Sequence, residues 1–266
     1  EEIIPNFSNK FLFILGPSLA MITAMLTSAV IPWGDKMEAF GRTISLQITD
    51  VNIGILYVFG VVSLGVYGIM IGAWASNNKF SLLGGLRAAS QMISYELAMG
   101  LALIALIMYT GTPSLKEMVQ LQQQGYWNVL VQSVGFNRTL FDLAEAENEL
   151  IGGYTSEYSS MKLGFYLFAE YINMFISSAI IATLYFGGYD IPFVDESTLN
   201  VNLAAGLGAL ALFAKILFFI FVFMWVRWTI PRFRYDQLMN LGWKGLIPIA
   251  LVNMLITAAL ILWLNK

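Results

Sequence analysis

Carboxylates set in an otherwise apolar chain are the residues that could do chemistry here. Between Asn137 and Lys162 the sequence runs NRTLFDLAEAENELIGGYTSEYSSMK and gathers Asp142, Glu145, Glu147, Glu149 and Glu157. Two further acids lie inside apolar stretches, Glu96 in RAASQMISYE and Glu170 in FAEY. An ionisable group at membrane depth is costly, so such groups point to an ion path, a proton relay or a polar ligand cavity. Crowded carboxylates also repel, and crowding in general favours protonation of some of them. The chain contains no Cys and no His. That excludes disulfides, thiolate cluster ligands, the usual haem and zinc ligands and the usual near-neutral proton shuttle. Proton chemistry must then run on Asp, Glu, Lys, Tyr and water.

The spacing around these acids suggests how they are held. Asp142-Leu-Ala-Glu145 has the form of a capping box, and Gly152-Gly153 supplies a C-terminal stop, which predicts a short amphipathic helix over Leu143–Ile151. On it Asp142, Glu145 and Glu149 share one face. The alternative is a solvated loop helix whose acids are caps and surface charge. Glu96 is expected about one and a half turns beyond the polar start of an apolar helix, with Gln91, Ser94 and Tyr95 as neighbours and Arg87 upstream. It either faces a wet interior, snorkels to the interface or pairs with an Arg. Glu170 and Lys215 each need a partner or water, and spacing does not say whether they meet. Arg227 is expected as an interfacial anchor. Arg138, Arg232 and Arg234 are expected near the acidic loop as counter-charge. Gly84-Gly85 and Gly187-Gly188 are expected as turns. No phosphate loop, paired metal-ligand set or Ser/His/Asp set is visible, and nothing suggests a redox cofactor held by this chain.

The elements that must position these groups follow from composition. Of 266 residues, 58% are hydrophobic and 12% charged, with a mean hydropathy of +0.70, against about 25% charged in a soluble domain. The expected fold is all-α, a polytopic transmembrane bundle forming a single membrane domain over 1–266. The net charge of −3 gives no reason to expect nucleic acid. No basic stretch with a small-residue cleavage site opens the sequence, so no signal peptide is expected. Spans of about 20 apolar residues are expected at Phe11–Trp33, Val51–Trp74, Gln91–Tyr109, Leu163–Phe186, Leu203–Trp225 and Gly245–Leu264, with Pro17 inside the first. Trp33, Trp74, Trp225, Trp243 and Trp263 sit near span ends, as interfacial aromatics do. Tyr126–Phe136 is apolar but only eleven residues long, a truncated span.

Loop charge leaves the topology open. With a crossing at Tyr126–Phe136, Lys10, Lys79, Arg87, Arg138, Lys162, Arg227, Arg232, Arg234 and Lys244 share one side, and Lys36, Arg42, Lys116 and Lys266 the other. Without that crossing, Lys36, Arg42 and Lys116 join the later loops, and the imbalance is the same. The richer side is the expected cytoplasmic one.

Five separated stretches carry a resemblance to a known family: AVIPWG at Ala29–Gly34, GAWASNNKFSLLGGLRAASQMISYE at Gly72–Glu96, FDLAEAENELIGGYTSEYSSMK at Phe141–Lys162, LFAEY at Leu167–Tyr171 and PRFRYDQLMNLGWK at Pro231–Lys244. Nearly the whole chain, in family order, resembles the H-type membrane subunits of the proton-translocating NADH-quinone oxidoreductases, respiratory complex I. Related subunits of membrane-bound hydrogenases and formate hydrogenlyase are the near alternative.

The resemblance implies a subunit that is not catalytic alone. It anchors the peripheral arm, forms much of the chamber where quinone is reduced, and couples that step to proton transfer. Quinone is then the bound substrate, and NADH, FMN and the iron–sulfur clusters belong to partner subunits. Peripheral quinone-module subunits, antiporter-like membrane subunits and the lipid bilayer are the implied partners. The implied location is a bacterial inner membrane rather than a mitochondrial one. The acidic loop 137–162 would face the peripheral arm, and Asp142, Glu145, Glu147, Glu149 and Glu157 would border the chamber. Glu96 and Glu170 would belong to a buried polar path.

The chain departs from the family pattern in several places. A further span and a basic loop are expected before Glu1, and most of a span and its acid are expected to be missing between Phe136 and Asn137. Leu140 replaces a usual Pro, and Thr155-Ser156 replaces His-Thr, which removes any His-based step there. A free-standing secondary transporter is the reading from a different class, but no inverted repeat or matched pair of broken helices is visible. A transporter would purify alone, and a complex subunit with many partners.

Overall fold

The computed structural model describes residues 4–39, 41–131, 152–191, 200–229 and 235–264. The Phe136–Asn137 junction, the expected Leu143–Ile151 helix, Arg138, Asp142, Glu145, Glu147, Glu149, Arg232 and Arg234 lie outside the described residues.

Among the described residues, six helical stretches are long and apolar enough to cross a membrane. Helix α1 (Lys10–Ser28) starts at Asn9, whose side chain accepts hydrogen bonds from Phe11 N and Leu12 N, and it continues through Pro17. An antiparallel hairpin follows, β1 (Lys36–Ala39) and β2 (Arg42–Ser45), turning at Gly41 with φ +72°. Then come α2 (Gly54–Ala75), α3 (Lys79–Thr110), α4 (Leu115–Gln124) and the single turn α5 (Asn128–Val131). A 3-10 turn at Gly153–Thr155 precedes α6 (Ser160–Tyr185) and α7 (Val201–Thr229). The last span is composite, with α8 (Tyr235–Asn240), a π-helical segment at Leu241–Leu246 and α9 (Ile247–Leu264). The fold is an all-α polytopic bundle, as composition requires.

Several boundaries correct the sequence expectation. The first span ends at Ser28 rather than Trp33. Trp33 packs inward, its ring 5.9 Å from Phe175 and 6.2 Å from Phe213, so it is not an interfacial marker. The hairpin was not expected, because strands of four residues leave too little alternation to detect. The third span begins at Lys79, twelve residues before Gln91. There Asn78 caps the helix by accepting from Phe80 N at 3.0 Å. Ser90, one of the polar residues that hid the helix, folds its hydroxyl back onto Leu86 O at 2.8 Å.

Gly84 and Gly85 are accordingly inside α3 and not a turn. Their value is close approach. A Cβ on Gly84 would stand 2.6 Å from Tyr154 N, and one on Gly85 would collide with Ala73 Cβ. Gly187 and Gly188 do form the expected turn, with φ +73° and +57°.

Spans α1, α2 and α3 alternate in direction, α6 runs the same way as α1 on which it packs, and contacts fix two ends. Tyr57 Oη reaches Leu26 O, Ile55 N donates to Pro113 O, and Asn128 Nδ2 donates to Leu184 O at 2.7 Å. These belong to the hairpin end. At the other end Ser81 Oγ donates to Tyr154 O at 3.1 Å, and Gly16, Gly68 and Gly72 let α1, α2 and Tyr166 of α6 converge. Lys10, Lys79, Lys162 and Arg227 lie toward this Lys79 end, and Lys36, Arg42 and Lys116 at the hairpin end. That is the arrangement of the first charge tally. One apolar cluster sits at each end, around Leu106 and Met118 and around Phe13 and Tyr158, and a third joins α6 to α7 around Ile176 and Leu212.

Candidate functional site

Six elements around the Lys79 half of the bundle leave a cavity of about 160 Å³ between them. Its polar wall is built from residues on several elements. α1 contributes Thr23, α3 contributes Gln91, Tyr95 and Glu96, and Tyr154 comes from the 3-10 turn. Tyr166, Glu170 and Asn173 come from α6, and Arg227 from α7. Ala20, Gly65, Val66, Ala88 and Ala169 are the small or apolar residues that leave the space open.

The structure brings Tyr95, Glu96 and Glu170 together around one space. Glu96 is half-buried and accepts a hydrogen bond from Ser63 Oγ of α2 at 3.2 Å. Because α3 starts at Lys79, Glu96 lies roughly 26 Å along it at 1.5 Å per residue, and not near its polar start. Glu170 pairs with Arg227, Oε1 to Nη1 at 2.8 Å. Arg227 is therefore more than an interfacial anchor, since it supplies the counter-charge on the facing helix. The two side chains are 37% and 39% exposed, so in water the pair would contribute about 0–1 kcal/mol, and its weight lies in charge placement. Lys215 does not meet Glu170. Its ammonium donates to the carbonyls of Phe186, Gly188 and Asp190 near the hairpin end.

Arg87 is half-buried on α3 and is not part of the cavity wall. Glu157 is also elsewhere, where its Oε1 accepts from Asn78 Nδ2 at 2.6 Å while Asn78 Oδ1 caps α3. It thus holds the start of the helix that carries Glu96.

Sequence reasoning named Tyr95 but missed Tyr154, Tyr158 and Tyr166. Tyr166 Oη donates to Gly68 O and Tyr158 Oη to Phe13 O, both at 3.1 Å. The Tyr166 ring meets Tyr154 and Tyr158 edge-on at 5.3 and 5.0 Å. Tyr158 stacks on Phe13 at 4.1 Å, and burial pushes its phenol up to about 12, so it stays a neutral donor. A signal was present, since Tyr166, Glu170 and Asn173 recur at helical spacing in an otherwise apolar span. Gly68 and Gly72 also form a small-xxx-small pair, which allows close helix approach.

Apolar helices that line a shared internal cavity with carboxylates, phenols and amides define a polytopic membrane protein with a polar interior. The family model for NADH dehydrogenase matches residues 1–258. An H-type subunit of NADH-quinone oxidoreductase from Cytophaga hutchinsonii, the first of its kind in that organism, is 64% identical over 273 aligned positions, which cover 98% of this chain and 80% of that protein. The H-type subunit of Flavobacterium johnsoniae is 62% identical, over 98% of this chain and 79% of the relative. NADH-quinone oxidoreductase subunit 8 of Rhodothermus marinus is 43% identical over 97% and 79%. The chain belongs to the family of H-type subunits of NADH-quinone oxidoreductase. The first alignment is longer than the 266-residue chain, so that relative carries residues with no counterpart here.

Proposed function

We propose that the chain is the membrane subunit through which a NADH-quinone oxidoreductase couples quinone reduction to proton transfer. Its Lys79 end faces the cytoplasm and receives the peripheral arm, because the basic residues collect there. The observation that carries the reading is the cavity shared by Tyr95, Glu96, Glu170 and Arg227.

Reducing a quinone consumes two electrons and two protons and passes through negatively charged species. Electrons come from NADH through flavin and iron–sulfur clusters in partner subunits. This chain contributes groups that respond to charge. Glu96, held by Ser63, and Glu170, balanced by Arg227, place carboxylates where charge nearby changes, and the phenols of Tyr95 and Tyr166 offer hydrogen bonds. The family resemblance would make the loop acids Asp142, Glu145, Glu147 and Glu149, with Arg138, Arg232 and Arg234 as counter-charge, part of the quinone chamber, and these residues lie outside the described ones. Glu157 supports it by fixing the start of α3, and Arg87 adds basic charge along the same helix.

Glu96→Gln and Glu170→Gln in the whole complex test this. Both neutral isosteres are expected to lower quinone reductase rate and proton translocation severalfold. Electron transfer from NADH to an artificial acceptor in the peripheral arm should be unchanged, because that route bypasses the cavity. Wild-type quinone reduction and pumping in both variants would remove the coupling role.

A further inference from the structure

The end of α6 carries an arrangement that the proposed function does not use. Lys215 stands in the apolar run LFAKILFF of α7 and sends its ammonium to three backbone carbonyls, Phe186 O at 2.7 Å, Gly188 O at 2.8 Å and Asp190 O at 2.7 Å. Its Nζ also lies 4.8 Å from the centroid of the Trp127 ring. The indole N–H of Trp127 donates to Asp190 Oδ2 at 2.9 Å, which fixes the ring against the cation.

Local structure explains why carbonyls converge here. α6 ends at Tyr185 with Phe186 as its C-cap, so the Phe186 carbonyl lies past the last intrahelical donor, at the negative end of the helix dipole, and the carbonyls of Gly188 and Asp190 follow in the turn. Gly187 and Gly188, both at positive φ, fold the chain back over that end, and Gly188 N returns to Ala182 O at 2.9 Å. Space demands glycine too, since a Cβ on Gly188 would stand 2.8 Å from Val119 Cγ2. Gln122 of α4 braces the turn by accepting from Gly187 N at 3.0 Å and donating to Thr183 O at 3.0 Å.

An ammonium has three N–H donors and no acceptor, and carbonyls only accept. Three carbonyls and one indole face therefore fit a primary ammonium. A neutral amine, with two N–H groups, would leave a carbonyl without its donor. We propose that this is an ammonium-binding cage filled by the chain's own Lys215, a fixed internal cation that latches the Trp127 segment and the end of α6 to α7 and does not pass its proton on. The latch stands independently of the coupling role proposed above.

Chemical rescue tests it on the complex purified through a tag on this chain. Lys215→Ala vacates the cage and is expected to lower the thermal midpoint by several degrees. n-Propylammonium chloride should restore at least half of the loss. Tetramethylammonium chloride at equal concentration should restore none, because it has no N–H to donate. Lys215→Arg keeps the charge but offers a planar fork to a three-point cage, and should also lower the midpoint. An unchanged midpoint in either variant, or equal rescue by tetramethylammonium, would overturn the proposal. If the Lys215→Ala complex fails to accumulate, propylammonium in the growth medium must raise its amount, and no rise counts against the cage. A proton carrier at this position would behave oppositely, with Lys215→Arg keeping the wild-type midpoint and losing translocation.

Discussion

Glu157 and Tyr158 are adjacent in sequence and do different work. The carboxylate holds Asn78 by its amide, and the phenol holds the Phe13 carbonyl. Glu157→Ala should loosen the cap of α3 and cost about 1–2 kcal/mol, visible as a lower thermal midpoint of the complex. Tyr158→Phe removes the buried hydroxyl that donates to Phe13 O and also bonds Tyr166 and Ser76, about 1–2 kcal/mol, and leaves the stack on Phe13 intact. Because the Tyr158 phenol is pushed up to about 12 by burial, its neutral form favours the folded state. That contribution is complete below the usual phenol range near 10 and is lost as pH rises through about 12. A phenolate absorbance difference between wild type and Tyr158→Phe should accordingly be absent at pH 10 and grow only near 12. Neither role was legible in the sequence. Glu157 looked like one more member of an acidic loop, and only the fold brings residue 78 to residue 157.

Where helices pack closely, glycines set the distances. Gly72 faces Tyr166 and Tyr158, with the Tyr158 hydroxyl 2.8 Å from where a Cβ would be, whereas nothing lies within 4 Å of a Cβ on Gly60 of the same helix. Gly72→Ala should therefore cost about 1–3 kcal/mol through forced displacement of two buried tyrosines. Gly60→Ala should be neutral or stabilise by up to about 1 kcal/mol, as expected for exposed helical Gly to Ala. Thermal midpoints of the two variants, measured side by side, check the contrast. The same contrast shows what the sequence could reveal. Spans were legible because twenty apolar residues in a row admit few alternatives, and Glu96 and Glu170 were legible because charge inside such a run demands a partner. Helix starts were not, since Lys79–Ser90 mixes glycines, serines and Arg87 in a composition typical of loops. Only packing against Tyr154 and Ala73 shows why that mixture is helical. Arg227 as the partner of Glu170 was equally hidden, because 57 residues separate them.

At the scale of the molecule, a chain without cysteine lends itself to a direct test of orientation. Single cysteines at exposed Arg42 on the hairpin and exposed Lys79 at the opposite end should react with an impermeant maleimide from opposite faces of the membrane. Arg42→Cys should label from outside the cytoplasm, and Lys79→Cys from the cytoplasmic face of membranes stripped of the peripheral arm. Labelling of both from one face would contradict a crossing by α2 between them. The Ser63–Glu96 hydrogen bond sets an electrical depth as well. Ser63 stands nine residues from Gly54 and twelve from Ala75, roughly 14 and 18 Å along α2, close to halfway across a hydrocarbon layer of about 30 Å. Moving a unit charge across the whole layer against 100 mV takes about 2.3 kcal/mol, so a proton reaching Glu96 from the cytoplasmic face would meet about half of that. In an energised membrane, negative on the cytoplasmic side, each 100 mV would then lower the proton occupancy of Glu96 up to about sevenfold. The carboxylate would feel membrane voltage directly, and a working membrane would brake the proton uptake that charges it.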